Sequence, residues 1–259
     1  MQSYGSLASA ALRKQIELRQ ADAHVDEELQ RCKARFAYFL MRYVKTVDEH
    51  DPSSFAKAIP RLVYLREIAD LLQREPRIAI EKSRQLMISW ICISYVLWHS
   101  LFHANVLFFI QSKKSEDAAA LLDRCYQIYH RLPGWMRERF PINLGSGRPG
   151  MPLFSHLYFT WRTEDEKLFG YTVEEGMSFK DLVSANATRS HIFAVPQGSD
   201  QIRQFTATGL FSDEAAYQTE ANEAYTAAVP AMAPDSKMIF VSSAAPGFFE
   251  SLCRDVELR

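Results

Sequence analysis

Three short stretches carry the residue types that phosphate chemistry needs. The first is KSRQLMIS, residues 82 to 89, between the short apolar run RIAI and a long apolar-rich segment. A phosphate-binding loop of the form GxxxxGK[ST] uses backbone N–H groups, a helix N-terminus, a lysine and a metal-binding hydroxyl. Laid on that pattern, Ser89 takes the hydroxyl position, Ile88 the lysine position and Met87 the second glycine. Lys82 takes the first glycine position, so a lysine is present at the opposite end of the loop. Arg84 adds a second cation, and Ser83, Gln85 and Leu86 complete the stretch. A cation reaching phosphates from the start of the loop can replace one at its end. Met87 must then avoid positive φ or accept strain. Taken alone, the stretch also reads as a basic turn between a strand and a buried helix.

The second stretch, GLFSDEAAYQ (209 to 218), puts two adjacent carboxylates after an apolar run. Nucleotide hydrolysis needs one acidic group near Mg²⁺ and another that orients or deprotonates the attacking water. Asp213 suits the metal and Glu214 the water. A solvated acidic pair at a helix N-terminus is the competing reading. The third stretch, VSSAAP (241 to 246), places Ser242 and Ser243 directly after a strand, where they could sense a terminal phosphate. Without the other two stretches, a plain small-residue turn is the stronger reading.

The elements that would hold these stretches follow from pattern. Residues 8 to 48 lack Pro and Gly and read as one or two charged amphipathic helices. DPSS (51 to 54) supplies a cap for a helix ending near Arg74. Strands are expected at RIAIE (77 to 81), NVLFFIQS (105 to 112), HLYFTW (156 to 161), HIFAVP (191 to 196), TGLFS (208 to 212) and KMIFVSS (237 to 243). Helices are expected over about 89 to 103, 115 to 132 and 219 to 232, and NLGSGRPG (143 to 150) is loop chemistry. Alternating strands and helices argue for a mainly parallel α/β sheet with a β-rich insertion around 150 to 200. Such sheets bind ligands at the carboxyl ends of their strands, where all three stretches fall.

Composition narrows the class. The 259 residues are 47% hydrophobic with a formal net charge of -1, which fits a globular chain without a strongly basic nucleic-acid footprint. The four cysteines are scattered, with no CxxC, so a disulfide scaffold or zinc ribbon is not expected. The N-terminus has no signal-peptide pattern, and the apolar run 87 to 102 is too short to span a bilayer.

Together the three stretches resemble the ATPase domain of the large terminase subunit, the DNA-packaging motor of tailed bacteriophages. KSRQLMIS resembles that family's variant Walker A, LFSDEAA its Walker B with the catalytic glutamate, and VSSAAP its coupling motif. VPQGSDQIRQFTATG (195 to 209) resembles the run into Walker B, and the likeness covers about residues 60 to 250. It implies an α/β fold of the P-loop NTPase, ASCE type: a mainly parallel sheet flanked by helices, with an N-terminal helical extension and a β-rich insertion. The expected division is 1–58 for the extension and 59–259 for the ATPase domain. The resemblance further implies ATP and Mg²⁺ as cofactors. Residues 82 to 89 would hold the nucleotide, with Lys82 on the phosphates. Arg84 would do the same or stabilise transition-state charge. Ser89 and Asp213 would hold the metal, Glu214 would activate water, and Ser242 and Ser243 would couple hydrolysis to movement. Implied partners are double-stranded DNA, the portal protein, the small terminase subunit and further copies in a ring on the portal, in the cytoplasm of a bacterial host, with no membrane. The family's RNase H-type nuclease domain is not expected in this chain, which ends soon after the coupling motif.

Two departures stand out. Met87 replaces a glycine, and no adenine-reading glutamine is evident, since Gln73 is merely close and Tyr64 has no Gln neighbour. A non-catalytic binding module on a relic nucleotide fold, or another P-loop translocase, is the rival reading. His99 and His103 have a zinc-compatible spacing but aromatic flanks, which favours a core role. TEDE (163 to 166) reads as a turn. Arg131, Arg137 and Arg139 read as surface charge, with a finger acting on a neighbouring subunit as the alternative.

Overall fold

A computed structural model describes residues 23–47, 56–83, 85–140, 142–146, 154–159, 190–198, 202 and 206–254. A helix over 23–34, α1, leads to α2 (Phe36–Tyr43) and a two-stranded ladder, β1 (Lys45–Thr46) with β2 (Lys57–Ala58). Next come α3 (Val63–Arg74), β3 (Arg77–Glu81), α4 (Ile88–Phe102), β4 (Leu107–Ser112), α5 (Ser115–His130) and α6 (Gly134–Arg139). The remainder is β5 (Ile142–Ser146), β6 (Phe154–Phe159), β7 (His191–Pro196), β8 (Ala207–Asp213), a 3-10 turn (Ala215–Tyr217), α7 (Ala221–Ala231), β9 (Met232–Ser242) and α8 (Phe248–Arg254).

Seven strands form one sheet in the order β3-β9-β8-β4-β7-β6-β5. The first five run parallel, and β6 and β5 close one edge antiparallel. The parallel strands read as apolar runs because helices cover both of their faces. On one face lie α2, α3, α4 and α5. There Ile78, Ile80, Phe108, Ile110, Phe211, Ile239 and Val241 meet Leu65, Ile91, Tyr95, Leu122 and Ile128. On the other, Phe109, Leu210, Met238 and Phe240 meet Tyr225, Ala228, Phe249 and Leu252 of α7 and α8.

Helix α4 is apolar around nearly its whole circumference, and that is why it is buried on nearly every side. Its outer side receives α2. Phe36 stands edge-on to Tyr95 at 5.2 Å, and the Trp98 indole donates to the Cys32 carbonyl at 2.7 Å. Gln73 ties the same layer together. Its side-chain oxygen accepts from the Phe36 amide and its amide nitrogen donates to the Ala34 carbonyl, each at 2.9 Å. Both ends of Gln73 therefore serve packing of α3 on the N-terminal helices.

The spacing between β4 and β8 depends on Gly209. A Cβ there would lie 2.1 Å from the Phe108 ring.

Several sequence expectations need correction. The DPSS stretch lies outside the described residues, and α3 starts only at Val63, with Leu62 as its N-cap and no side-chain cap. The residues NLGS, expected as loop, belong to strand β5, because pairing with β6 overrides their turn preference. The last strand begins at Met232 rather than Lys237, and the strand expected at 156–161 runs from Phe154 to Phe159. Of the one or two N-terminal helices expected, two are present, 23–34 and Phe36–Tyr43, separated at Arg35; residues 1–22 and TEDE lie outside the described residues.

His99 and His103 stack at 4.3 Å within the aromatic core of α4. Burial pushes the His99 imidazole down to about 3, which suits a neutral core residue. No helix among the described residues is long and apolar enough to cross a membrane.

Candidate active site

The parallel register brings the three sequence stretches to one edge of the sheet. Glu81 pairs with Ser242 and Asp213 with Val241, so the carboxyl ends of β3, β9 and β8 are level. Strand β9 lies between β3 and β8. The Lys82 amide extends the β3–β9 ladder by one more bond, to the Ser242 carbonyl at 2.9 Å.

The loop from β3 to α4 turns through two left-handed residues, Gln85 at φ 65° and Met87 at φ 59°. Met87 thus takes the strained option that its replacement of glycine leaves open, a conformation that costs an L residue roughly 1–2 kcal/mol. Such strain persists where surrounding structure enforces it, and it clusters at functional sites. Met87 then caps α4, and its carbonyl accepts from Ile91 at 3.1 Å. Ile88 is 2% exposed and packs into the core, so the usual lysine position faces away from any ligand. Leu86 is exposed, and its carbonyl accepts from the Tyr64 hydroxyl at 3.4 Å.

Lys82 fills the electrostatic gap from the other end. Its ammonium donates to Ser89 Oγ at 3.1 Å, and Ser89 Oγ donates to Asp213 Oδ2 at 2.9 Å. Asp213 Oδ1 is buried without a hydrogen bond, 3.9 Å from Lys82 Nζ. A hydroxyl and a carboxylate with an unused buried oxygen are the hard donors that Mg²⁺ prefers. The donor set therefore fits such an ion. The first turn of α4 adds unpaired backbone N–H groups and a positive dipole end.

Beyond Asp213 the chain turns sharply. Glu214 is itself left-handed, at φ 54° and ψ 37°, and opens the 3-10 turn. The turn is tied down from two sides. Buried Gln218 donates to Ser212 Oγ at 3.0 Å and to the Asp213 carbonyl at 2.8 Å. From β9, buried Ser242 accepts the Ala216 amide through its Oγ at 3.1 Å, and Ser243 Oγ meets the Tyr217 hydroxyl at 3.1 Å. A cavity of about 220 Å³ opens here, lined by Lys82, Ser83, Lys113, Glu214, Tyr217 and Ser243. A larger one, about 870 Å³, opens toward the amino ends of β3 and β9, beside Leu71, Arg77, Met232 and Met238. It lacks the ammonium, hydroxyl and carboxylate grouping, so the smaller cavity is the candidate site.

No family model and no curated protein matches the chain. Solved structures do match it. The large terminase ATPase domain of Thermus phage P74-26 superposes with a TM-score of 0.52 at 15% identity, over 75% of this chain and 69% of that one. A point mutant of the same domain gives 0.53 at 14% identity with the same coverage. The large terminase of bacteriophage HK97 gives 0.52 at 12% identity, over 81% of this chain and 37% of that one.

The chain has the fold of a large-terminase ATPase domain.

On that fold the expected site residues divide clearly. Lys82, Ser89 and Asp213 form one bonded chain, and Glu214, Ser83 and Ser243 line the adjoining cavity. Ser242 supports the site from beneath through two hydrogen bonds. Gln85, Leu86 and Met87 shape the loop, and Ile88 belongs to the core. Arg84 lies outside the described residues. Among the arginines of 131 to 139, Arg139 pairs with Asp26 at 3.2 Å and Arg131 donates to the Gln127 carbonyl at 2.8 Å.

Sequence reasoning missed Lys113, Tyr217 and Gln218. Lys113 directly follows the strand expected at 105 to 112, so the rule that ligands gather at strand ends was signal enough to find it. Tyr217 and Gln218 stand in the same quoted stretch as the acidic pair, but nothing in their types announces a contact with β9 or β8.

Proposed function

We propose that this chain is the Mg²⁺-dependent ATPase of a viral DNA-packaging motor, driving double-stranded DNA into a procapsid. The observation that carries the reading is the bonded chain Lys82–Ser89–Asp213, with Glu214 on the wall of the adjoining cavity. These groups meet the requirements of phosphoryl transfer to water. The Lys82 ammonium and the N-terminus of α4 would balance phosphate charge, helped by Arg84. Ser89 and Asp213 would hold Mg²⁺, which when bound neutralises charge on the phosphate oxygens. The Glu214 carboxylate would take a proton from the attacking water. As the water oxygen bonds to the terminal phosphorus, the bond to the bridging oxygen breaks, and ADP and phosphate leave.

Movement would pass through β9. Ser242 touches both the loop, through the Lys82 amide, and the 3-10 turn, through the Ala216 amide. Ser243 touches Tyr217. A change in the phosphates therefore reaches one strand from two directions. In this reading the chain acts in a ring on the portal protein, with a small terminase subunit as partner, in the cytoplasm of a bacterial host. Contacts with DNA would be mainly to phosphates.

The left-handed strain at Met87 and Glu214 speaks for a working site over a relic, because such strain clusters at functional sites. The test is Mg²⁺-dependent ATP binding and hydrolysis by the wild type, Lys82→Ala and Glu214→Gln. Loss of binding in the first and loss of turnover with binding kept in the second is the expected pattern. A folded wild type that binds no nucleotide at millimolar ATP would sink the proposal and favour a non-catalytic binding module.

A further inference from the structure

Five of the six residues around the 220 Å³ cavity come from the loop, the acidic turn or the end of β9; Lys113 comes from none of them. It directly follows β4, which pairs in parallel with β8, Gln111 opposite Ser212. Lys113 therefore leaves the end of β4 next to the end of β8, and it lines the same cavity as Glu214. The Lys113 side chain is exposed and forms no ion pair with another described residue.

The two ammonium groups of the cavity are thus differently engaged. Lys82 is turned toward Ser89 and Asp213, where the metal and the inner phosphates would sit. Lys113 stands on the β4 side, next to the carboxylate proposed to activate water. Attack occurs at the terminal phosphorus, so whatever lies beside Glu214 faces the terminal phosphate. An ammonium there meets the oxygens of the terminal phosphate in a nucleoside triphosphate and none of them in a diphosphate, which ends one phosphate short.

From this placement, and resting on the proposed ATPase function, we infer that Lys113 reads the terminal phosphate and sets the preference for ATP over ADP. A charge-assisted hydrogen bond from Lys113 forms only when that phosphate is present. The competing role is that of a surface lysine that merely offsets the charge of Glu214. That role gives no discrimination between the two nucleotides.

The experiment measures Mg²⁺–ATP and Mg²⁺–ADP affinity by titration calorimetry for the wild type, Lys113→Ala and Lys113→Arg. The expected result is an ATP affinity about tenfold weaker in Lys113→Ala with ADP affinity unchanged, and recovery in Lys113→Arg, as one charge-assisted bond is gained and lost. Equal losses for both nucleotides, or no loss for either, overturns the inference while wild-type ATP binding leaves the proposed function standing. A wild type that binds neither nucleotide overturns both. Position 113 is exposed and outside the core, so the variants fold as the wild type does.

Discussion

Lys82 Nζ stands 3.1 Å from Ser89 Oγ, so the first and last residues of the phosphate loop touch. A loop closed in this way brings its cation to the hydroxyl position without a lysine beside it. The residue that would have carried that lysine, Ile88, is free to pack in the core. The arrangement exchanges glycine flexibility for two left-handed residues, and this makes the loop's geometry testable.

Met87→Gly and Met87→Ala both remove the side chain that packs against the core, but only glycine tolerates φ 59° without strain. The glycine variant should therefore be the more stable of the two by about 1 kcal/mol, the cost of a left-handed L residue less the backbone entropy of glycine. Urea unfolding of the pair measures this directly. An alanine variant that is equal or better would show that the loop relaxes out of the left-handed region at no cost.

The tie between Tyr217 and Ser243 predicts a coupling. Tyr217→Phe and Ser243→Ala each remove the 3.1 Å contact while leaving the 3-10 turn its backbone bonds. Each should lower ATP turnover about fivefold, the value of one ordinary hydrogen bond, and the double variant no further. Mg²⁺–ADP affinity should stay within about twofold, because neither residue belongs to the Lys82–Ser89–Asp213 chain that would hold the inner phosphates. Additive losses in steady-state kinetics would mean that the two hydroxyls act separately.

Two buried histidines predict an acid sensitivity. Burial holds His99 down to about 3, with the charges of His103 and Lys237 adding to the effect, and His191 down to about 4, against 6.5 for the free side chain. Below pH 6.5 the unfolded chain takes up protons that the folded chain refuses. Stability is therefore full above that pH and declines as pH falls toward 4 and then 3. The drop from pH 7.5 to pH 5 should amount to at least about 2 kcal/mol by denaturant unfolding. His99→Gln removes one contributor and should make the slope shallower, with His191 and the smaller burial effects on His103 and His130 remaining. An unchanged slope would place the acid sensitivity elsewhere.

Much of this architecture was legible because buried parallel strands write themselves as apolar runs. RIAIE and HIFAVP were found to the residue, and α4 nearly so, since burial on all sides leaves no polar stripe. NLGS was not legible as a strand, because its pairing with β6 is a tertiary gain against local preference. The DPSS reading failed for a similar reason. A capping residue is only a signal when a helix starts beside it, and α3 starts several residues later without a side-chain cap. In the site, residue types announced Lys82, Ser89, Asp213 and Glu214. The left-handed turns at Gln85 and Met87 leave no trace in residue type, since neither is glycine or asparagine. Lys113 is near Glu214 only because β4 pairs with β8, and pairing of strands far apart in sequence is what a single sequence states least.

The position of β9 has a consequence for the order of folding. Within the sheet, the described part of β3 pairs with β9 alone, and β9 is the last of the described strands. While the chain is being synthesised, β3 and its loop have no described sheet partner until β4, β7 and β8 have emerged. β4, β7 and β8 can pair earlier, since their contacts are with one another. Closing so long a loop late in assembly carries a large entropic cost and slows folding. The phosphate loop is thus among the last parts of the sheet to form. A ribosome-bound chain lacking β9 would present an open strand edge where the finished protein has its most demanding geometry.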